Sequence, residues 1–464
     1  MRYYFLGIAG TAMASVAVLL KQKGHEVWGT DLGIYPPMSD FLAEHNIPVW
    51  QGYDVAHLET PFDMVVIGNA MSRGNVEVEA ILSRRLPMIS MPELIRNEFA
   101  RPLKSVVITG THGKTTTTTL MSWLLQVAEK SPTFLIGGIA KNFDSSVQVG
   151  SGEYFVIEGD EYDSAFFDKR PKFVHYFPHY LTINNIEFDH ADIYPDLDTI
   201  LREFKKMIRI VPEDGLIVAN ADSPAVHEVL SPIYSRLQLF GKSRDNHWSY
   251  EIIAQTDQFS EFNLYEKGQL ATATPLKFPF PGEFQVQNAT AVAAIARDMG
   301  ISWKVIHHAF ETFTGVKRRM EYWGKLHDAD VYDDFAHHPT AIQVTLEAFR
   351  RKFPNRRLIA LFEPRTNTTV RNFFQEELVA AFKPADIVLF TPLHRIEKIP
   401  ENQRLSLEKL VADLARENTE SVLLTGHAQI PEKLAEILRD GDLLVLLTNG
   451  SLGGEYQKLR DRIS

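Results

Sequence analysis

The segment richest in chemical potential is Gly110-Thr111-His112-Gly113-Lys114-Thr115-Thr116. It follows an apolar run, Ser105–Thr109, that reads as a buried strand, and it opens a helical stretch from about Thr115 to Val127. Glycines let a backbone approach an anion closely. Lys114 can neutralise β- and γ-phosphate charge, and the Thr115 hydroxyl stands where such loops ligate Mg2+. The following helix adds its N-terminal dipole. A full nucleotide loop places a glycine five residues before the last one; Ile108 stands there, so this is a shortened variant. A glycine turn with a solvated lysine shares the composition but not the strand–loop–helix context.

Two further clusters follow apolar strands. Glu158-Gly159-Asp160-Glu161-Tyr162-Asp163 leaves the strand Tyr154–Ile157. Carboxylates at the carboxyl end of a parallel strand face the ligand crevice of an open α/β sheet. Their hard oxygens suit Mg2+ better than a solvated acidic turn requires. Asn184-Asn185-Ile186-Glu187-Phe188-Asp189-His190 leaves the strand Tyr180–Ile183. His190 is compatible with a second metal site, with orienting substrate, or with a structural role. Near the N-terminus, Gly7-Ile8-Ala9-Gly10-Thr11-Ala12-Met13 forms a nucleotide-type turn, and Asp31 ends the next strand, where a ribose-binding acid belongs. Ala9 and Ala12 replace two glycines of the dinucleotide fingerprint, which argues against hydride chemistry.

The elements that must position these residues are short apolar strands alternating with helices. Tyr3–Leu6, Glu26–Gly29 and Met64–Ile67 read as strands, with Ala12–Lys21 and Met38–Glu44 as helices between them. Residues from about 250 to 280 alternate polar and apolar, which predicts an antiparallel insert. Asn288–Met299 is alanine-rich and helical, and Lys317-Arg318-Arg319 marks a hinge. Beyond it, strands at Asp330–Asp333, Leu358–Leu361, Ile387–Phe390, Ser421–Leu424 and Leu443–Leu447 alternate with helices. The chain of 464 residues is therefore expected to be α/β, in three domains. A net charge of −11 argues against nucleic-acid binding. The absence of cysteine excludes disulfides, thiolate catalysis and Cys-type zinc sites. No run approaches the roughly 20 apolar residues of a membrane span. Met1-Arg2 and the apolar run after it continue into strand, turn and helix rather than a signal peptide. The expectation is a soluble cytoplasmic protein, monomeric or weakly homo-oligomeric, with no membrane partner.

Read together, these motifs resemble the Mur ligase family along nearly the whole chain. G-T-H-G-K-T-T, E-x-D-E-x-D and N-x-E-x-D-H are similar to its central signatures. Lys317-Arg318-Arg319-Met320-Glu321 resembles its hinge arginine motif, and Asp333-Asp334-Phe335-Ala336-His337-His338-Pro339-Thr340 resembles its muramate branch. The resemblance implies a Rossmann-like UDP-sugar domain over 1–103, a P-loop ATPase domain with a β insert over 104–316, and a Rossmann-like domain binding the peptide over 317–464. It implies ATP and Mg2+. Gly110, Thr111, His112, Gly113, Lys114, Thr115 and Thr116 would hold phosphates, with Lys114, Glu158 and His190 catalytic. Thr115 and Glu158 would hold one Mg2+ and His190 a second. Asn288 would contact adenine, and Arg319 and Asp334 would grip phosphate and ribose. Gly10, Thr11, Asp31 and Asn69 would line the UDP-sugar site.

Tyr35–Ser39, Gly68–Asn75 and Tyr162–Arg170 resemble the branch that joins UDP-N-acetylmuramate to the murein tripeptide L-Ala-γ-D-Glu-meso-diaminopimelate, rather than the branch that adds L-alanine. The loops at Glu363–Thr368 and Asn449–Gly454 leave strand carboxyl ends, where ligands bind. Arg365, Asn367, His338 and Asn449 are expected there. Arg365 suits a carboxylate or a structural ion pair, and His337-His338-Pro339 also suits a tight strand-to-helix entry. Two departures from the family pattern stand out. Gln285 replaces the first asparagine of its H-N-x-x-N motif. Phe204, with Lys205 beside it, occupies the place of a lysine that several branches carbamylate, so no carbamylation is expected.

Overall fold

The structure, a computed structural model, describes residues 1–256 and 258–463. Among the described residues three large sheets carry the fold, beside a two-stranded ribbon of Asp163–Ala165 and Asp168–Pro171. The first has five parallel strands in the order Val49–Gln51, Glu26–Asp31, Arg2–Leu6, Met64–Ile67 and Met88–Ser90. Arg2–Leu6 lies at its centre because its last four residues are buried. The order reverses beside this strand, which opens a crevice at the strand carboxyl ends.

The central sheet runs parallel through its functional middle. Lys104–Thr109 pairs with Tyr180–Ile183 on one side and Tyr154–Gly159 on the other. Leu216–Asn220 and Arg236–Gly241 extend it in parallel. Trp248–Gln255, Ser260–Glu266 and Leu276–Phe278 form the expected antiparallel insert, continuous with the same sheet. The opposite edge is a hairpin, Thr133–Ala140 with Ser145–Gln148. The third sheet has the order Glu321–Leu326, Ala329–Asp334, Leu443–Leu447, Leu358–Phe362, Ile387–Phe390 and Glu420–Leu423, parallel except for its first pair.

The helix after the phosphate loop, Lys114–Val127, contains five consecutive threonines. β-Branched residues restrict helix rotamers, and their hydroxyls need partners when buried. Thr117 and Thr119 each donate to the carbonyl four residues back, at 2.8 and 2.7 Å, and Ser122 does the same to Thr118 at 2.8 Å. The polar run thus enters an apolar layer that includes the helix Glu283–Asp298.

The other face of the central sheet behaves differently. Val107, Phe155, Ile157, Leu181 and Ile183 form one continuous buried cluster with Val16, Leu19 and Leu20 of the first domain's helix Thr11–Gln22. The first two domains therefore share a core, which the sequence reading treats as separate. Phe204 lies in that core, 1% exposed, with its ring tilted at 55° against Phe173, so its position carries packing and no modification chemistry. Among the described residues, no helix is long and apolar enough to cross a membrane.

Candidate active site

Because Lys104–Thr109 is flanked by two parallel strands, the phosphate loop emerges between the acidic turn and the asparagine–histidine segment. Gly110 has φ +135° and Gly113 φ +81°, in the region that favours glycine. Side chains there would also collide. A Cβ on Gly110 would lie 3.1 Å from Asn184 Cβ, and one on Gly113 would lie 2.8 Å from Asn288 Oδ1.

The loop is braced from the Tyr180–Ile183 side. Thr111 N–H donates to Asn185 O at 3.2 Å, and His112 N–H donates to Asn185 Oδ1 at 2.8 Å. Those two amides are committed to the protein. The amides left for phosphate belong to the first helical turn, Lys114 to Thr116, where no side chain caps the helix. Asn288, 5% exposed, accepts from Asn184 Nδ2 at 3.3 Å and backs Gly113 from beneath. Gln285 is also buried, and among the described residues its Oε1 has no hydrogen-bond partner.

Lys114 Nζ donates to Gly110 O at 2.7 Å and pairs with Glu161 at 3.1 Å. Burial alone would lower its pKa, but the Glu161, Asp160 and Glu158 carboxylates outweigh burial and raise it. The ammonium is therefore charged at neutral pH. Glu158 accepts the Thr115 hydroxyl at 3.1 Å and the Gly137 N–H at 2.6 Å. Its pKa is raised by burial, against the lowering effects of the Gly137 N–H, Lys114 and Arg319. A buried carboxylate in that condition lacks positive charge. The Thr115 hydroxyl and the Glu158 carboxylate, adjacent through their hydrogen bond, are hard oxygen donors of the kind Mg2+ takes, so the donor set fits the ion.

A second group, Asp160, Glu161 and His190, brings one ligand atom from each within 4.8 Å of the others. His190 adopts φ +54° and lies 3.4 Å from Glu161. Burial would lower its pKa, but the Glu161 hydrogen bond and the Glu161, Asp189 and Asp160 charges raise it to about 9. A metal entering here must displace that proton. Glu161, 3% exposed, bridges Lys114 and His190. In the sequence the acidic turn stands out as a whole, with nothing to separate Glu161 from its neighbours. Only the side-chain directions do so.

The third domain closes over this site. Arg319 lies on the turn after the central domain, 5.1 Å from the Phe335 ring, and its charge is felt at Glu158 and Asp334. Among the described residues it has no ion-pair partner. Asp334 is 4% exposed, and its oxygens accept the Met320 and Ala336 N–H groups at 2.8 Å each. It clamps the hinge turn, while Arg318 ties that turn to Asp333 and Thr448. His338, also 4% exposed, caps the helix Pro339–Lys352 through Thr340 N–H and contacts Phe188 O at 3.1 Å. Both ring nitrogens are engaged, one in the helix cap and the other in a contact between domains.

The loops at Glu363–Thr368 and Asn449–Gly454 meet, since strands Leu358–Phe362 and Leu443–Leu447 are neighbours. A Cβ on Gly450 would lie 2.5 Å from Arg365 Cδ. Arg365 stands 3.5 Å from the buried Glu363, Asn449 Oδ1 is buried with no hydrogen-bond partner among the described residues, and Asn367 donates to Asp192 at 2.9 Å. His427, which the sequence reading passes over, lies 3.5 Å from the same Glu363.

In the first domain, Asp31 accepts the Ala9 N–H at 2.9 Å and the Gly33 N–H at 3.0 Å, so it shapes the Gly7–Gly10 turn. Gly10 precedes the helix Thr11–Gln22 without a side-chain cap, which leaves N–H groups for an anion. Asn69 follows the adjacent strand Met64–Ile67 and is half-buried at the same sheet end.

Such a constellation is built to move a phosphoryl group under dense electrostatic control, and the three domains around it are those of an ATP-dependent ligase. Family models described as "Mur ligase family, catalytic domain", "Mur ligase middle domain" and "Mur ligase, glutamate ligase domain" match residues 2–101, 108–296 and 318–450. The chain belongs to the Mur ligase family. It is 39% identical over 463 residues to the UDP-N-acetylmuramate–L-alanyl-γ-D-glutamyl-meso-2,6-diaminoheptandioate ligase of Haemophilus influenzae, covering 99% of this chain and 98% of that one. It is 31% identical to the UDP-N-acetylmuramate–L-alanine ligase of Dictyoglomus turgidum, covering 97% and 94%. The crystal structure of a murein peptide ligase from Psychrobacter arcticus superimposes with a TM-score of 0.76 at 34% identity, covering 100% and 98%.

Proposed function

We propose that the chain joins UDP-N-acetylmuramate to the tripeptide L-Ala-γ-D-Glu-meso-diaminopimelate, with cleavage of ATP to ADP and phosphate. The observation that carries the phosphoryl-transfer part is the Lys114, Thr115 and Glu158 arrangement at the start of one helix. The peptide part is supported by the meeting of the Arg365 and Asn449 loops and by the greater likeness to the tripeptide ligase than to the alanine ligase. The reaction belongs in the cytoplasm, where ATP and nucleotide sugars are found.

A carboxylate oxygen of the muramate attacks the γ-phosphorus, and the bond to the ADP oxygen breaks. The α-amine of the peptide's L-Ala, as the neutral base, then attacks the acyl carbon. The tetrahedral intermediate expels phosphate together with that carboxylate oxygen, and the amine loses its proton. Lys114 turns from Glu161 and the Gly110 carbonyl toward the phosphates, and the first-turn amides hold their oxygens. Arg319 adds charge from the hinge. Thr115 and Glu158 would hold one Mg2+ and His190 a second, and the ions would neutralise further phosphate charge. Gly10, Thr11, Asp31 and Asn69 place the UDP-sugar. Arg365, with Asn367 and Asn449 beside it, receives a peptide carboxylate.

Purified protein given ATP, Mg2+ and UDP-N-acetylmuramate should release ADP only when the tripeptide is added. Equal release with L-alanine alone would replace this reading by that of the alanine-adding enzyme. Release independent of any amine would point to an ATP-binding sensor or scaffold.

A further inference from the structure

The His190 turn is held in part from outside its own domain. Thr368 sits in the loop that follows the strand Leu358–Phe362 and is 2% exposed. Its hydroxyl donates to Asp189 Oδ1 at 2.9 Å and accepts the Ala191 N–H at 3.2 Å. The same Asp189 oxygen accepts the His190 N–H at 2.7 Å. One side chain of the third domain therefore grips the residues on both sides of His190. A hydroxyl can do this because it offers one donor and two acceptor lone pairs.

The grip matters because His190 is left-handed, at φ +54°, a conformation that non-glycine residues seldom adopt without support. The preceding residue of the loop supports the same segment, since Asn367 Nδ2 donates to Asp192 Oδ2 at 2.9 Å. The loop is itself stiff. Thr366 and Thr369 hydroxyls bond at 2.8 Å, and the Val370 and Arg371 N–H groups donate to Thr366 and Thr368 carbonyls at 3.1 Å each. It also carries Arg365.

We propose that Thr368 is a positioning residue whose hydroxyl couples the docking of the Arg365–Thr368 loop to the placement of the His190 turn. Seating the amine substrate and completing the phosphoryl-transfer site are then a single assembly step. This rests on the proposed ATP site at Lys114, Glu158 and His190, but not on which amine is used.

The test compares Thr368→Val, which keeps the shape and removes the hydroxyl, with Thr368→Ser, which keeps the hydroxyl. Thr368→Val should lower kcat about tenfold or more, as expected when a buried carboxylate loses a hydrogen-bond donor. The KM for UDP-N-acetylmuramate should stay within about twofold. Backbone hydrogen exchange across residues 185–194, measured without substrates, should quicken in Thr368→Val. Thr368→Ser should restore both the rate and the protection. Wild-type rate and exchange in Thr368→Val would overturn the proposal, as would equal impairment of the two variants. Rates are measured with whichever amine the wild type accepts. If the wild type turns over no ATP, the functional reading fails, and the exchange measurement still decides the role of Thr368.

Discussion

Lys114→Ala is expected to lower kcat by about 10³-fold while changing UDP-N-acetylmuramate affinity by less than about twofold. The first effect follows from what the ammonium faces. It lies at the start of the phosphate-loop helix among the carboxylates of the acidic turn, paired with Glu161 at 3.1 Å and held charged by Asp160 and Glu158 besides. Phosphoryl transfer to a carboxylate gathers negative charge in the same place, and a preorganised donor in a water-poor site is worth about 10²–10³ in rate. Removing Lys114 also leaves Glu161 without that partner, which adds local repulsion. The second effect follows from the fold. The residues assigned to the UDP-sugar lie at the end of a different sheet, with Asp31 and the Gly7–Gly10 turn held by their own hydrogen bonds. Steady-state kinetics and calorimetric titration of UDP-N-acetylmuramate check both parts. Wild-type turnover in this variant would remove Lys114 from the chemistry.

Glu158→Gln should lower kcat by about 10²-fold or more at a fixed, low Mg2+ concentration, and should raise the Mg2+ needed for half-maximal rate. The substitution keeps the shape of the side chain and its acceptor for the Gly137 N–H, 2.6 Å away in the native chain. What it loses is charge. Burial raises the Glu158 pKa despite its neighbours, so the ionised form is short of positive charge, and a divalent cation is the natural remedy. An amide oxygen is a weaker ligand for such an ion. Titrating Mg2+ against rate in both proteins measures this. An unchanged Mg2+ requirement with a lowered kcat would assign Glu158 to another role.

Much of this site could be read from the chain because the chemistry sits on loops that follow apolar strands. Ser105–Thr109, Tyr154–Ile157 and Tyr180–Ile183 are buried runs, and the parallel pairing of their strands puts Lys114, Glu158 and His190 at one sheet end. The same logic placed Asp31 beside the Gly7–Gly10 turn. Side-chain direction was less legible. Glu158 and Glu161 look alike in a run of acids, yet one meets Thr115 and the other meets Lys114 and His190. Asp334 and His338 sit in a motif rich in functional groups, but burial gives both local work, one clamping the hinge turn and the other capping a helix.

Long-range packing was the least legible. No local pattern says that the helix Thr11–Gln22 buries its apolar face against the central sheet as well as its own. The strands Leu216–Asn220 and Arg236–Gly241 and the hairpin of Thr133–Ala140 with Ser145–Gln148 are equally hard to read from the chain. They carry no motif, and short apolar runs read equally well as strand or buried helix.

The most direct test of the account follows one oxygen atom. UDP-N-acetylmuramate labelled with 18O in its lactoyl carboxylate, incubated with the protein, ATP, Mg2+ and the tripeptide, should yield phosphate carrying one 18O per turnover. That result requires the carboxylate to have attacked the γ-phosphorus and phosphate to have left by cleavage at the acyl carbon, and an equal yield of amide product shows that the peptide amine displaced it. Phosphate free of label, with ATP consumed, would mean that water was the nucleophile and would contradict the acyl-phosphate ligase.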